Sequence, residues 1–175
     1  MVIRKATQVD APALAEIHVS AWRTAYSGHM PNSVLDSLSI EKRIVDWQQW
    51  LSQPGLVTTL VVEIEGKLVA FCVFGPSRDE DKKERSVCEI LALNVHPRLW
   101  RRGYGKTLCE AVLLMAQQAQ WKTITLWVLK ANERARLFYQ TIGFSPDGAE
   151  RLDSDLEGVT LHEVRYGKEL EANVI

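Results

Sequence analysis

A short basic loop with two glycines is the part of this chain whose residue types most clearly suggest chemistry. The apolar run 93–95 leads through a proline into Arg-Arg-Gly-Tyr-Gly-Lys at residues 101–106, and an amphipathic helical pattern follows directly. Glycines let a backbone turn tightly and approach a ligand closely. The start of a helix adds unpaired N–H groups and the positive end of the helix dipole. The loop therefore predicts a binding site for a phosphate or pyrophosphate.

The known phosphate-binding motifs do not describe this loop. A Walker loop would end in Gly-Lys-Ser/Thr, and the dinucleotide motif G-x-G-x-x-G would need a glycine where Leu108 stands. The loop is thus an anion site of another kind, with two arginines and one lysine able to meet the charge.

The elements that must position this loop follow from hydrophobic periodicity and turn signals. Strands are predicted at 2–5, 58–64, 68–75, 87–95, 123–129, 144–149 and 159–166, and helices at 11–26, 32–52, 105–120 and 132–142. Asp10 is the predicted N-cap of the first helix, and Gly143 the C-terminal cap of the last. Residues 77–85 read as a solvated charged loop, and 153–158 as a polar turn. One mixed α/β domain spanning residues 1–175 is the economical interpretation.

Composition narrows the function classes. With 46% hydrophobic and 25% charged residues, the chain is typical of an ordinary globular protein. A formal net charge of −1 gives no global attraction to nucleic acid or anionic lipid. We expect no metal, because the histidines lack ligand spacing and the three cysteines lie far apart in apolar patterns. The N-terminus shows no signal-peptide pattern, which predicts a cytoplasmic protein without a membrane partner.

A second motif gives the loop a family context. Residues 132–144 read Asn-Glu-Arg-Ala-Arg-Leu-Phe-Tyr-Gln-Thr-Ile-Gly-Phe. Together with residues 93–106 this segment resembles the GNAT superfamily of acyl-CoA-dependent N-acyltransferases. The resemblance implies a central, mostly antiparallel, splayed mixed sheet of about six to seven strands flanked by helices. It also implies acetyl-CoA as co-substrate, bound between the splayed fourth and fifth strands.

The resemblance assigns the cofactor-binding residues. In the family the fourth strand pairs with the pantetheine arm, the loop holds the pyrophosphate, and the next helix start contacts CoA. The matching residues here are Leu93, Asn94, Val95, Arg101, Arg102, Gly103, Tyr104, Gly105, Lys106, Asn132 and Arg136. Trp100 departs from the family pattern, which usually has Gln or Arg at that position. One polar contact is lost there, whereas the backbone donors of the loop remain.

Tyr139 is the candidate general acid. It lies in the Phe-Tyr-x-x-x-Gly-Phe context in which the family places its acid. A phenol, with an unperturbed pKa of ~10, stays protonated at neutral pH and can protonate the thiolate that leaves. The resemblance therefore favours catalysis over the packing role that a helical tyrosine ordinarily has.

Glu89 is the candidate general base. It shares a strand face with Val87, Leu91 and Leu93. Desolvation in an apolar stripe favours uptake of a proton by a carboxylate, which suits a group that must deprotonate an amine. A water chain, or Glu63, His162 or Glu163, is the alternative base.

Acceptor contacts are predicted on the first helix. Trp22 and Tyr26 are four residues apart on one helical face, where they serve either an apolar amine or core packing. A small-molecule amine and a protein amine both remain open as acceptors. Homodimers are common in the family, so the oligomeric state remains open as well.

The sequence thus predicts an acetyl-CoA-dependent N-acetyltransferase whose primary-amine substrate attacks the thioester directly. A catalytically silent acyl-CoA sensor, a nucleotide-binding module and a protein-docking domain that uses Trp47 and Trp50 are the alternatives. Thiol release with an amine panel distinguishes the enzyme from the sensor.

Overall fold

The computed structural model describes residues 1–53, 55–82, 86–156 and 159–170, and the side chains of 154–156 are outside the description. The chain divides into two compact units. Residues Met1–Phe74 and Ala92–Val112 form the first, and Gly75–Leu91 with Leu113–Ile175 form the second. No helix among the described residues is long and apolar enough to cross a membrane.

Seven strands, five α-helices and three short 3-10 helices make up the regular structure of the described residues. The strands are β1 (Val2–Lys5), β2 (Thr58–Ile64), β3 (Lys67–Pro76), β4 (Val87–Val95), β5 (Thr123–Leu129), β6 (Ser145–Leu156) and β7 (Val159–Glu169). The helices are α1 (Ala11–Ala25), α2 (Asn32–Ser37), α3 (Ile40–Ser52), α4 (Tyr104–Gln118) and α5 (Glu133–Thr141). The strand order is β1-β2-β3-β4-β5-β7-β6, a mixed sheet in which the registered pairs are antiparallel except β4 with β5. The predicted fold class is confirmed.

The first unit has an antiparallel ladder of β1, β2 and β3. Glu65 and Gly66 join β2 to β3 with φ angles of 50° and 76°, the left-handed pair that a tight hairpin requires. Helix α1 buries Leu14, Ile17 and Ala21 and packs against α3, as the apolar periodicity indicates.

One local prediction in this unit is wrong, and another is confirmed only in its position. Residues 32–52 form two helices, because Leu38 and Ser39 are extended and the Ser39 hydroxyl accepts a hydrogen bond from the Lys42 amide to start α3. Asp10 occupies the predicted N-cap position of α1, but its side chain makes no capping hydrogen bond there. Its carboxylate instead accepts hydrogen bonds from Arg4 and Thr7, and the Arg4 hydrogen bond lowers the pKa of Asp10 to about 2.

The second unit contains the registered parallel ladder of β4 and β5. β4 and β5 are in register from Val87↔Thr123 to Ile90↔Leu126, and the ladder ends there although both strands continue. β5 then pairs with β7, and β7 with β6, both antiparallel.

The end of the sheet differs from the prediction. β6 continues through Asp153 to Leu156, where a polar turn was expected, because β7 supplies paired backbone along this length. The remainder of that predicted turn, residues 157–158, lies outside the described residues.

Candidate active site

The turn that precedes the basic loop is built within the first unit. Pro97–Leu99 form one 3-10 turn, begun by the His96 imidazole, whose Nδ1 accepts a hydrogen bond of 3.3 Å from the Arg98 amide. Helix α1 contacts this turn. The indole Nε1 of Trp100 donates a 2.7 Å hydrogen bond to the Val95 carbonyl. Trp100, which sequence reasoning left without a role, therefore joins the loop to the end of β4.

The loop itself turns at Arg101 and Gly103. Their φ angles are 63° and 86°, both in the left-handed region. Gly105 lies within α4 and has no positive φ, so its predicted part in the turn is wrong: the backbone has already turned two residues earlier. The first helical bond of α4 runs from the Thr107 amide to the Gly103 carbonyl, 2.9 Å.

The amides of residues 103–106 are the main chemical feature of the loop. None of these four N–H groups donates a hydrogen bond within the part of the chain that the structure describes, whereas the Arg102 amide closes the turn at Trp100 and Arg101. Arg101 and Arg102 are exposed beside them, and Lys106 lies 3.8 Å from Glu110 one helical turn on. Clustered N–H donors at a helix start, surrounded by cations, are suited to a phosphate or pyrophosphate.

The residues predicted to pair with the pantetheine arm lie at the end of β4. Leu93, Asn94 and Val95 are partly exposed and lie beyond the end of the β4–β5 register. The Val95 carbonyl already accepts the Trp100 indole, so one of its two lone pairs is occupied.

Tyr139 lies near the end of α5 in the second unit. Tyr139 is 8% exposed. The centroid of its ring lies 5.2 Å from that of Phe138 and 5.9 Å from that of Phe144. Its carbonyl accepts the amides of Ile142 and Phe144, which end the helix. The predicted cap Gly143 has a φ of 89°, the conformation that favours glycine.

Glu89 is buried, as its apolar strand face predicted, with 1% of its surface exposed. It is also paired, which sequence reasoning missed. Its Oε2 accepts the Arg78 amide at 2.9 Å, and its Oε1 accepts the Arg78 guanidinium at 2.8 Å. The antiparallel course of β3 and β4 was the available signal, because it returns the first residues after β3 to the start of β4.

The segment that carries Arg78 is exposed at Arg78, Glu80 and Asp81, as the sequence predicted, but it is also fixed by internal contacts that the sequence did not predict. Asp79 accepts the Trp127 indole at 3.0 Å and the Arg165 guanidinium at 2.9 Å, and Arg165 also binds Asp81 and Asp147. Arg165 is 5% exposed, and these aspartates raise its pKa, the Asp81 hydrogen bond most strongly. Residues 83–85 lie outside the description.

Asn132 and Arg136 begin α5. The Asn132 side chain accepts the Ala135 amide at 3.1 Å and so caps the start of the helix. Arg136 donates to the Tyr166 hydroxyl at 3.2 Å and to the Lys130 carbonyl at 3.0 Å. Its predicted contact with CoA phosphates therefore competes with two internal hydrogen bonds.

An aromatic cluster surrounds the predicted acceptor residues. Trp22 and Tyr26 meet edge to face, with centroids 5.0 Å apart, and both are partly exposed. His18, which the sequence did not single out, contacts Trp22, Trp47 and Phe71. Burial, and secondarily Arg43, lowers the pKa of His18 to about 3. The buried His18 Nδ1 and Trp47 Nε1 have no hydrogen-bond partner among the described residues.

The cysteines are buried, and the described residues contain no cluster suited to a metal ion. Cys72, Cys88 and Cys109 are buried and form no disulfide, and burial raises the pKa of Cys88 to about 12. Within the described ranges, no group of three or more His, Cys, Asp and Glu side chains could hold a metal ion.

Comparison with known proteins defines the class. A family model described as the Acetyltransferase (GNAT) family matches residues 13–144, which is most of the chain. The chain belongs to this family and is an acyltransferase of the N-acetyltransferase class. It is similar to the uncharacterised N-acetyltransferase YuaI of Bacillus subtilis, 28% identical over 95% of this chain and 92% of that one.

Solved structures agree in fold. The ribosomal-protein-alanine N-acetyltransferase of Brucella melitensis has a TM-score of 0.73 at 23% identity, covering 97% of this chain and 100% of that one. The PaiA N-acetyltransferase of Thermoplasma acidophilum, solved in complex with coenzyme A, has a TM-score of 0.72 at 19% identity, covering 96% and 98%.

Proposed function

We propose that this protein transfers the acetyl group of acetyl-CoA to a primary amine by direct attack of the amine on the thioester. The observation that carries the proposal is the row of four amides at 103–106 that donate no internal hydrogen bond among the described residues. The first N–H groups of a helix have no partner within the helix, and in a basic loop such a row favours an anionic ligand. The pyrophosphate of CoA has the matching charge and acceptors.

The chemistry needs one proton removed from the amine and one delivered to sulfur. The amine nitrogen bonds to the acetyl carbon while the carbon–sulfur bond breaks, and the departing thiolate takes the Tyr139 hydroxyl proton. Glu89, or water beside it, accepts the amine proton. The products are the N-acetyl amine and CoA thiol, and solvent resets both side chains.

A covalent acetyl-cysteine is disfavoured as an intermediate. A thiol is a good nucleophile only as its thiolate, and burial raises the pKa of Cys88 to about 12. Cys72 and Cys109 are buried as well. Direct transfer to the amine needs none of these thiols.

The acceptor is proposed to be a small amine with an apolar or aromatic portion. The edge-to-face pair of Trp22 and Tyr26 is partly exposed and offers faces suited to an apolar group or a cation. A protein amine is the second candidate. The name of the Brucella enzyme indicates that a protein of this fold acts on a ribosomal-protein alanine.

The phosphate site is tested by comparing two glycines. Gly103 and Gly66 have φ angles of 86° and 76°, and a Cβ built on either meets nothing within 4 Å. Alanine therefore imposes similar backbone strain at both positions without clashing with the protein. We expect Gly103→Ala to weaken CoA binding about tenfold or more, the loss of one charge-assisted hydrogen bond of ~1.5 kcal/mol. Gly66→Ala should bind CoA as the wild type does in calorimetry.

Equal CoA affinities of folded Gly103→Ala and Gly66→Ala would contradict the loop assignment. Turnover is tested separately by thiol release from acetyl-CoA with a panel of aryl-alkyl amines, amino acids, polyamines and N-terminal peptides. CoA binding without thiol release for any of them would favour the silent sensor.

A further inference from the structure

The ion pair between Glu89 and Arg78 is asymmetric in its exposure. The Glu89 side chain is 1% exposed, whereas the Arg78 side chain is 62% exposed. A buried carboxylate without a cation or donors is costly, so Glu89 needs its partners. The Arg78 guanidinium, in contrast, regains much of its hydration when it leaves, because most of its side chain already contacts solvent.

The two hydrogen bonds to Glu89 also differ in how readily they exchange. The Arg78 amide that binds Oε2 belongs to a fixed backbone. Ser77 donates its amide to the Val87 carbonyl at 3.0 Å, and Asp79 is bound by Trp127 and Arg165. The guanidinium that binds Oε1 is at the end of a flexible side chain. Only the Oε1 partner can change without unfolding the segment.

The carboxylates around Arg78 stabilise its guanidinium, but they would stabilise another cation at the same position as well. Burial lowers the pKa of Arg78, but the Glu89 hydrogen bond and the nearby charges of Glu89, Asp79 and Glu163 outweigh this effect and leave the pKa raised. These carboxylates attract any cation at that position. An ammonium has the same charge and three N–H donors, and it is compact enough to replace one guanidinium edge.

We propose that Oε1 of Glu89 is the binding point for the ammonium group of the acceptor, and that Arg78 occupies this point until the acceptor displaces it. The inference rests on the proposed function and identifies the acceptor as a cationic primary amine. It also gives Arg78 a positioning role: the guanidinium keeps the buried carboxylate paired and oriented, then moves into solvent. The ammonium that replaces it donates a hydrogen bond to Oε1 and loses one proton to this oxygen, and Glu89 passes that proton to solvent before attack. The same oxygen can then take the second proton as the amine nitrogen bonds to the acetyl carbon.

A small-cation rescue experiment tests the site without requiring turnover. Arg78→Ala removes the resident cation, and methylammonium chloride is the probe. Tetramethylammonium chloride and sodium chloride at equal ionic strength are the salt controls, because neither cation has an N–H donor. Thermal unfolding is measured at pH 8 for the wild type, Arg78→Ala and Arg78→Ala/Glu89→Gln.

Arg151→Ala is the matched control variant. Arg151 pairs with Glu163 at 2.7 Å in the same unit, but that carboxylate is 15% exposed and remains hydrated when its partner is removed. We expect methylammonium to raise the melting temperature of Arg78→Ala by roughly 2–4 °C at saturation. The rise should be absent in the double variant and in Arg151→Ala.

No methylammonium-specific rise in Arg78→Ala, or an equal rise in the double variant, would overturn the inference. If Arg78→Ala is partly unfolded in sodium chloride, the increase in its folded fraction in methylammonium chloride replaces the rise in melting temperature as the readout. No increase in the folded fraction would then overturn the inference.

Steady-state activity gives an independent test. Arg78→Ala should lower KM for the best amine roughly twofold to fivefold, the worth of an exposed ion pair, with KM for acetyl-CoA unchanged. Absence of any turnover alongside a positive rescue would refute the proposed function and leave the cation site standing.

Discussion

At the scale of single residues, the proposed chemistry depends most on the Tyr139 hydroxyl. Removing it leaves a phenylalanine ring that still packs between Phe138 and Phe144. We expect Tyr139→Phe to lower kcat by a factor of ~10² to 10⁴, the usual contribution of a general acid, with little change in CoA affinity. Steady-state kinetics with the best amine and CoA calorimetry measure the two effects.

Tyr166→Phe is the control for loss of a hydroxyl. Tyr166 is fully buried in the same unit, and its hydroxyl accepts hydrogen bonds from Arg136 and Gln140. Its removal should cost ~1 kcal/mol of stability and change kcat only a few-fold. A Tyr139→Phe enzyme with wild-type kcat, in a regime where chemistry limits turnover, would exclude Tyr139 as the acid.

At the scale of elements, the start of α5 combines a structural role with a proposed binding role. Aspartate caps a helix as well as asparagine does, but it repels a phosphate. Asn132→Asp should therefore keep the free energy of unfolding within ~0.5 kcal/mol and weaken CoA binding, whereas Asn132→Ala should lose ~1 kcal/mol of stability. Urea unfolding and calorimetry separate the two roles.

Ser39→Asp provides the matched cap substitution. Ser39 caps α3 through a 3.2 Å hydrogen bond from the Lys42 amide. A similar loss of CoA affinity in Ser39→Asp would show that added charge alone, and not its place at α5, is responsible.

The packing of α1 against α3 predicts a pH effect. The pKa of His18 is about 3 in the folded protein, against 6.5 for an unperturbed histidine, so the unfolded chain binds more protons between these values. Stability should be unaffected by this group above pH 6.5 and should fall as the pH drops below it, by at most ~1.4 kcal/mol per unit. His18→Phe should remove this dependence.

Urea unfolding at about pH 7.5 and about pH 4.5 measures the effect of His18→Phe. The wild type should lose up to about 2.6 kcal/mol more than the variant over this interval, because two pH units at ~1.4 kcal/mol each lie between 6.5 and 4.5. Asp10, with a folded pKa of about 2 against 3.8, loses its contribution only at lower pH and does not interfere. Parallel stability profiles of the two proteins would contradict the buried, neutral state of His18.

The sequence predicted several secondary-structure elements from the pattern of neighbouring residues, but it did not predict several long-range contacts. The bounds of β2, β4 and β5 and the cap at Gly143 were predicted from periodicity and turn residues, because these signals lie within a few neighbouring positions. The pairing of Glu89 with Arg78 and the contacts of Arg165 were missed. Arg165 and Asp79 are 86 residues apart, and only the order of the strands brings them together.

The candidate site also contains residues that local motifs predicted and contacts that they did not. The basic loop and Tyr139 were found because their motifs are contiguous in sequence. The turn at Arg101, in place of Gly105, was missed because a non-glycine residue with positive φ leaves little trace in composition. Glu89 was predicted to be buried from its strand face, but its partner came from a loop whose charges suggested solvent exposure.

At the scale of the whole molecule, the three thiols predict a simple chemical result. All three cysteines are buried, and burial raises the pKa of Cys88 to about 12. We expect the native protein to resist a disulfide reagent such as dithionitrobenzoate over minutes, and all three thiols to react once guanidinium chloride unfolds it. Rapid reaction of a full thiol equivalent in the native protein would contradict this burial. The same resistance lets the reagent count released CoA during turnover.

The contacts of Arg165 also constrain how the sequence can change over evolution. One guanidinium pairs with Asp79, Asp81 and Asp147, which lie in two segments far apart along the chain. Loss of the arginine alone leaves three carboxylates facing one another, and loss of one aspartate alone leaves a buried cation short of an acceptor. Each single replacement should therefore destabilise the protein more than a simultaneous replacement of the arginine and its three aspartates. These four positions should be inherited together, and an exchange tolerated in one lineage should be harmful when placed singly in another.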